Sequence, residues 1–235
     1  MPGTGVAQMT SPKQPIAEID WRDGLIPVSR AFDDPYFSLA GGLAETRHVF
    51  LSGNGLPARF RDGFHIAELG FGTGLNLLAT CLAHTGAHTG AAHLHYTSFE
   101  AFPMAAPDIA RALQAFPDLA EIAPDFLRQW ASGQTTLQFS NLTATIILGD
   151  ARITLPAWAG RADAWFLDGF SPAKNPALWS PEIINEVARH TAPGGSFATY
   201  TAAGHVRRSL AAAGFTVERR PGFGTKRHMT TGTLA

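Results

Sequence analysis

The 235-residue sequence predicts an α/β fold: a doubly wound, mostly parallel sheet preceded by an N-terminal extension. Three observations predict it. From residue 65 onward, apolar strand-like runs alternate with helical stretches, the pattern that builds parallel strands joined by crossover helices. Residues 65–76, HIAELGFGTGLN, read as a strand, a glycine-rich turn and the start of a helix. The last two strand-like runs are joined by only a short stretch containing Gly-Phe-Gly. That link is too short for a parallel crossover, so the final pair is expected to form an antiparallel hairpin.

In chain order, residues 1–16 lack the cationic start and apolar stretch of a secretory signal and are expected to be a disordered leader. The start could be Met1 or Met9. Residues 17–235 are expected to form one domain. Its first part, 17–60, carries short extended pieces at 26–29 and 48–51. Strands are expected at 65–69, 94–99, 144–148, 163–167, 195–200 and 215–219, and a last one within 226–234. Helices are expected at 75–84, 105–115, 181–190 and 204–213. TTLQF (135–139) is expected to add a strand beside TATIIL. Ser180 followed by Pro181 is a helix start, with a side-chain cap and a proline in the first turn.

Composition narrows the class. The chain is 45% hydrophobic and 16% charged, as expected of a globular protein with a sizeable core. It has no apolar run of about 18 residues, so a membrane span is not expected. Cys81 is the only cysteine, which excludes an intrachain disulfide and a cysteine-based zinc site. Its apolar neighbours suggest a buried thiol, and a reducing cytoplasm is the expected compartment. The net charge of −1 does not suggest a general nucleic-acid binder. From residue 200, however, six basic residues face one acid, Glu218, while the remainder is acidic overall. Such a basic tail, including Arg207 and Lys226, suits phosphate contacts on one face. A solvated surface is the alternative.

The chemistry centres on Gly70, Gly72 and Gly74. A dinucleotide fingerprint needs its third glycine at 75, and Leu75 stands there, which disfavours a nicotinamide dehydrogenase. The spacing E-x-G-x-G-x-G instead resembles motif I of class I S-adenosylmethionine (SAM) methyltransferases. Ligands of open α/β sheets sit beyond the C-terminal strand ends. Acids stand at three of those ends: Glu100, Asp150 and Asp168. Glu100 could accept both ribose hydroxyls and Asp150 the adenine amine. Glu68 could fix the glycine loop through backbone N–H groups or meet the methionine end of the cofactor. Asn76 and Ala151 complete the expected cofactor set. After Asp168 runs GFSPAKNPALW, a loop stiffened by two X-Pro steps. Its Phe170, Pro172, Lys174 and Asn175 are expected to meet the substrate, by stacking and reading a base. Tyr36 and Phe37 could close over the site, with core burial as the alternative.

DAWFLDGFSPAKNPALW closely resembles the signature of the MnmC methyltransferase domain family. Residues 19–56 resemble that domain's N-terminal segment. ELGFGTGLN, LHYTSFEAFP and the block from GGSFATYTAAG to GTKRHM also correspond, in the same order. The resemblance covers roughly 19–231. It implies the Rossmann-like class I SAM-methyltransferase fold. It also implies methyl transfer to the amine of 5-aminomethyl-2-thiouridine at the tRNA wobble position, with tRNA bound at its anticodon region. Asp168 is the expected catalytic residue. Bifunctional family members carry a separate FAD-dependent oxidase domain. This sequence has no second glycine fingerprint for FAD, so it looks like the methyltransferase alone, whether natural or excised from a longer protein. Neither FAD nor a metal is expected, and a separate FAD-dependent oxidase or other wobble-modification enzymes are the expected partners. Two rivals are a methyltransferase of a small-molecule amine and a non-catalytic SAM-binding module.

Overall fold

The computed structural model describes residues 14–38, 41–87 and 92–235. The expected leader therefore lies mostly outside the described residues. Near its end, Gln14 donates from Nε2 to the Ala101 carbonyl at 2.7 Å.

The N-terminal segment forms a small antiparallel sheet of β1 (Ile19–Arg22), β2 (Ile26–Ser29) and β3 (Asp34–Pro35). A short helix α1 (Gly42–Thr46) follows. Residues Arg47–Leu51, expected to be extended at 48–51, are instead a π-helical turn. Val49, Phe50 and Leu51 are buried there, so a wide helical turn satisfies the backbone while inserting three apolar side chains in succession.

The main sheet has eight strands, ordered β10-β11-β9-β8-β4-β5-β7-β6. The five central strands, β4 (His65–Leu69), β5 (Leu94–Glu100), β7 (Leu142–Leu148), β8 (Ala162–Leu167) and β9 (Thr191–Thr199), pair in parallel. Their apolar runs suit a sheet covered on both faces, and Ile66, Ala67, Ala164, Trp165 and Phe166 are fully buried. Both edges are antiparallel, the C-terminal one as expected. β6 (Thr136–Phe139) pairs with β7, and the hairpin of β10 (Phe215–Pro221) and β11 (His228–Leu234) joins β9.

Helix α2 (Leu75–Gly86) leaves the glycine turn. Helices α3 (Ala106–Leu113), α6 (Pro181–Arg189) and α7 (Gly204–Ala212) lie within their expected spans. Ser180 caps α6, accepting from the Ile183 N–H at 3.5 Å. Two further helices, α4 (Ala123–Ala131) and α5 (Ala151–Ala157), have no counterpart among the expected elements. Each contains a proline, Pro124 or Pro156, which reads as a break. Pro124 sits in the first turn, where its missing N–H costs nothing. Two apolar clusters fill the two sides of the sheet, one around Phe64, Leu77, Tyr96 and Phe126, the other around Trp165, Ile184, Phe197 and Leu210. Among the described residues no helix is long and apolar enough to cross a membrane.

Candidate active site

The C-terminal ends of the parallel strands open into a cavity of about 550 Å³. It lies where an open α/β sheet places its ligand. The glycine turn forms one wall, with positive φ at Gly70 (90°), Gly72 (55°) and Gly74 (76°). A Cβ at residue 70 would stand 2.2 Å from the Asp168 carbonyl oxygen. Glycine at 70 thus lets β4 and β8 converge at the site. At 74 the demand is different: a Cβ there would press on Phe126, at 2.8 Å. Gly74 supports the loop from behind and does not line the cavity.

Three acids converge from three strand ends. Glu100 ends β5, buried, with its oxygens accepting from the backbone N–H of Gly72 (2.9 Å) and Phe102 (2.7 Å). It locks the glycine turn, and burial raises its pKa. Asp150 caps α5, accepting from Arg152 N at 2.9 Å, and its carboxylate is paired with the Arg152 guanidinium. That pairing lowers its pKa. Asp168 follows β8. Burial pushes its carboxyl up to about 7, against a bond from Asn76 that stabilises the anion. Asp168 lines the cavity. Asn76, in the first turn of α2, donates from Nδ2 both to Asp168 Oδ2 (2.7 Å) and to Glu68 Oε1 (2.8 Å).

Glu68 corrects an expectation. It is 1% exposed and lies outside the cavity lining. Its oxygens accept from Asn76 Nδ2 and, at 2.6 Å, from Ser98 Oγ, rather than from loop N–H groups. As a strand residue before the turn, it points into the sheet interface and not along the strand toward the ligand. Burial raises its carboxyl to about 8.

The loop after β8 is clamped by the N-terminal segment. Phe170 stacks on Phe32 at 4.8 Å and meets Tyr36 edge-on at 5.0 Å. The Ser171 N–H donates to Asp34 Oδ2 at 2.8 Å. Tyr36, Phe37, Phe170 and Asn175 all line the cavity. Phe37 is also core, packed edge-on against Phe116 at 4.9 Å. Pro172 and Lys174 do not line it: a turn closed by Lys174 N to Ser171 O (2.8 Å) carries them outward, and Lys174 pairs with Asp33.

Sequence reasoning misses a cluster at the cavity wall. Lys226 Nζ pairs with Glu45 Oε1 at 2.7 Å and sits over the Tyr200 ring at 4.3 Å. The Tyr200 hydroxyl donates to the Gly169 carbonyl at 2.7 Å. Lys226, expected in a phosphate-binding tail, is engaged here instead. Thr46, Glu45 and Tyr200 come from elements whose sequence carries no local motif, so only tertiary contact reveals them.

A glycine turn, strand-end acids and an enclosed aromatic wall define a nucleotide-type cofactor site of the methyltransferase class. Residues 117–235 match the family described as S-adenosyl-L-methionine-dependent methyltransferase, and the chain belongs to that family. It is similar to the tRNA 5-methylaminomethyl-2-thiouridine biosynthesis bifunctional proteins MnmC. With that of Caulobacter sp. it shares 49% identity over 219 residues, covering 88% of this chain and 36% of the relative. With that of Pseudomonas aeruginosa it shares 47% over 227 residues, covering 92% and 35%. The chain spans about a third of the length of these relatives. Among solved structures, MNMC2 from Aquifex aeolicus superposes with a TM-score of 0.76 at 26% identity, covering 95% of this chain and 72% of that one. Spermidine synthase from Thermotoga maritima shares the fold, with a TM-score of 0.54 at 13% identity, over 96% of this chain and 72% of its own.

Proposed function

We propose that this chain methylates the exocyclic amine of 5-aminomethyl-2-thiouridine at the wobble position of tRNA, giving 5-methylaminomethyl-2-thiouridine. The names of the similar proteins support the substrate, and the placement of Asp168 supports the chemistry. The cavity suits SAM in size and lining: about 550 Å³, within the range of small-molecule sites, with aromatic walls and carboxylate acceptors. Gly70, Gly72, Glu100, Asp150 and Ala151 would hold it, while Asn76, expected among them, lines the cavity with its amide committed to Glu68 and Asp168. When bound, SAM supplies a methyl group on a sulfonium, a leaving group that departs neutral and needs no acid.

The protein's task is to present the acceptor. An alkylamine is mostly protonated in neutral water. Asp168 accepts an N–H bond from the amine, orients its lone pair and stabilises the positive charge that grows on nitrogen. Its raised pKa of about 7 also narrows the gap to an alkylammonium, so the carboxylate removes that proton at less cost than an ordinary acid would. Phe170, Tyr36, Phe37 and Asn175 form the wall against which the base rests. Pro172 and Lys174 shape and tether the loop from outside. Cytoplasmic tRNA, bound near its anticodon, is the partner, and an FAD-dependent oxidase would supply the free amine by removing a carboxymethyl group.

Methyl-labelled SAM tests the assignment. The protein is offered tRNA from cells lacking the activity, alongside free alkylamines. Label is expected in the tRNA alone. Label in free amines and none in tRNA would replace this function with small-molecule N-methylation.

A further inference from the structure

Behind Asp168 lies a buried chain of side chains whose far end does not reach the cavity. Ser98 Oγ donates to Glu68 Oε2 at 2.6 Å, and Asn76 Nδ2 donates to Glu68 Oε1 at 2.8 Å. The second hydrogen of the same Asn76 amide goes to Asp168 Oδ2 at 2.7 Å. Thr46 Oγ1 donates to Asn76 Oδ1 at 2.9 Å. The two carboxyls fix which way the amide faces, because a flipped amide would turn its oxygen toward both of them; the Thr46 hydroxyl then donates to the oxygen that is left. Both amide hydrogens are thus committed, one to each acid. Glu68, Asn76 and Ser98 are each at most 4% exposed. Asp168 Oδ1 has no side-chain donor among the described residues, which leaves it for the acceptor.

We propose that Glu68 is a positioning residue for methyl transfer: it anchors the Asn76 amide, and the amide in turn holds Asp168 Oδ2 so that Oδ1 is presented to the amine. This rests on the catalytic reading of Asp168. Glu68 itself touches neither methyl donor nor acceptor. The chain has physical consequence because a catalytic group displaced by about 1 Å can cost on the order of 100-fold in rate. The surroundings are consistent with a tightly specified pair. The Tyr96 hydroxyl is buried against Glu68, and the charges of Glu45 and Lys226 act on Asp168.

The test compares Glu68→Met, which keeps the volume and removes the acceptors, with Glu68→Gln, which can still accept from Asn76 while donating to Ser98. Rates are taken on tRNA substrate at saturating SAM. Glu68→Met is expected to lower kcat about 10- to 100-fold while KM for SAM moves less than about 3-fold, and Glu68→Gln is expected to restore most of the rate. Wild-type kcat in Glu68→Met overturns the inference. So does a loss of SAM affinity in both variants, which would make Glu68 a cofactor ligand. If Glu68→Met does not fold, Ser98→Ala carries the test: a lower kcat at constant KM for SAM supports the chain, and an unchanged kcat overturns it. Asp168→Asn is assayed in parallel. A fully active Asp168→Asn enzyme would overturn the catalytic reading and the inference together. An inactive one beside a fully active Glu68→Met would overturn the inference alone.

Discussion

Asp168 takes its chemistry from the point at which β8 stops. Its backbone is pinned by its own N–H to the Leu69 carbonyl at 3.1 Å, and its side chain is drawn out of bulk water against Asn76. Removing the carboxylate in Asp168→Asn is expected to cost at least about 100-fold in kcat with SAM binding, measured by titration calorimetry, unchanged. The rate of the native protein is expected to rise with pH through about 7, as this carboxyl ionises. Stability carries a second pH signature. Asp168 at about 7 and Glu68 at about 8 sit above their ordinary values of 3.8 and 4.5. Across that window the folded state binds more protons than the unfolded chain, so their contribution to stability falls as pH rises. His65 works the other way: buried and lowered to about 4, it costs stability as pH falls below 6.5. Glu68→Gln is therefore expected to gain stability relative to the native protein between about pH 5 and about pH 8.5, read by urea unfolding at the two pH values. A constant difference would contradict the buried-acid account of Glu68. At this scale the sequence marks Asp168, Glu100 and Asp150 correctly as strand-end acids. It does not show that Glu68 turns inward, because a strand side chain just before a turn has no local sign of which way the pleat faces.

The glycine turn and the proline-stiffened loop are the elements that shape the cavity. Gly70→Ala would drive a Cβ to within 2.2 Å of the Asp168 carbonyl oxygen, against backbone with no soft neighbour to yield. A loss of at least about 3 kcal/mol, or failure to fold, is expected on urea unfolding. Gly24→Ala is the control: also at positive φ but with nothing within 4 Å of its Cβ, it should cost only about 1–2 kcal/mol. Phe170→Ala removes the ring packing on Phe32 and Tyr36. If the loop meets the substrate as proposed, the change raises KM for tRNA several-fold and leaves KM for SAM in place. The central strands are legible because each is an apolar run bounded by turn signals. The clamp is not. Asp34 reaches Ser171 across 137 residues, and no local pattern encodes such a partner. The prolines of α4 and α5 conceal two short helices for the same reason: only the packed neighbours show that each proline is tolerated where it stands.

For the whole molecule, the edge hairpin sets the charge asymmetry that a polyanion would meet. Of the basic residues after position 200, Lys226 is engaged with Glu45 and Tyr200 and Arg220 with Glu218, while Arg208, Arg219 and Arg227 are exposed. Binding of tRNA is expected to weaken steeply with salt. Replacing Arg219 or Arg227 with alanine is expected to make the log–log salt dependence shallower by about one, because each arginine neutralises one phosphate. A slope unchanged in both variants would remove the hairpin from the tRNA-binding surface. The basic tail is visible in composition, but folding decides which of its members are tied to acids. The central sheet and its C-terminal hairpin are legible from strand–helix alternation and one short final connection. The proposed donor site follows from glycine spacing and strand-end acids. The acceptor rests on the proline-stiffened loop, its clamp and the similar proteins. The direct measurement is mass-resolved nucleoside analysis of tRNA from cells lacking the activity, incubated with this protein and SAM. Conversion of 5-aminomethyl-2-thiouridine to a species one methyl heavier, 5-methylaminomethyl-2-thiouridine, is predicted. An unchanged 5-aminomethyl-2-thiouridine pool in the presence of protein that binds SAM would contradict the account.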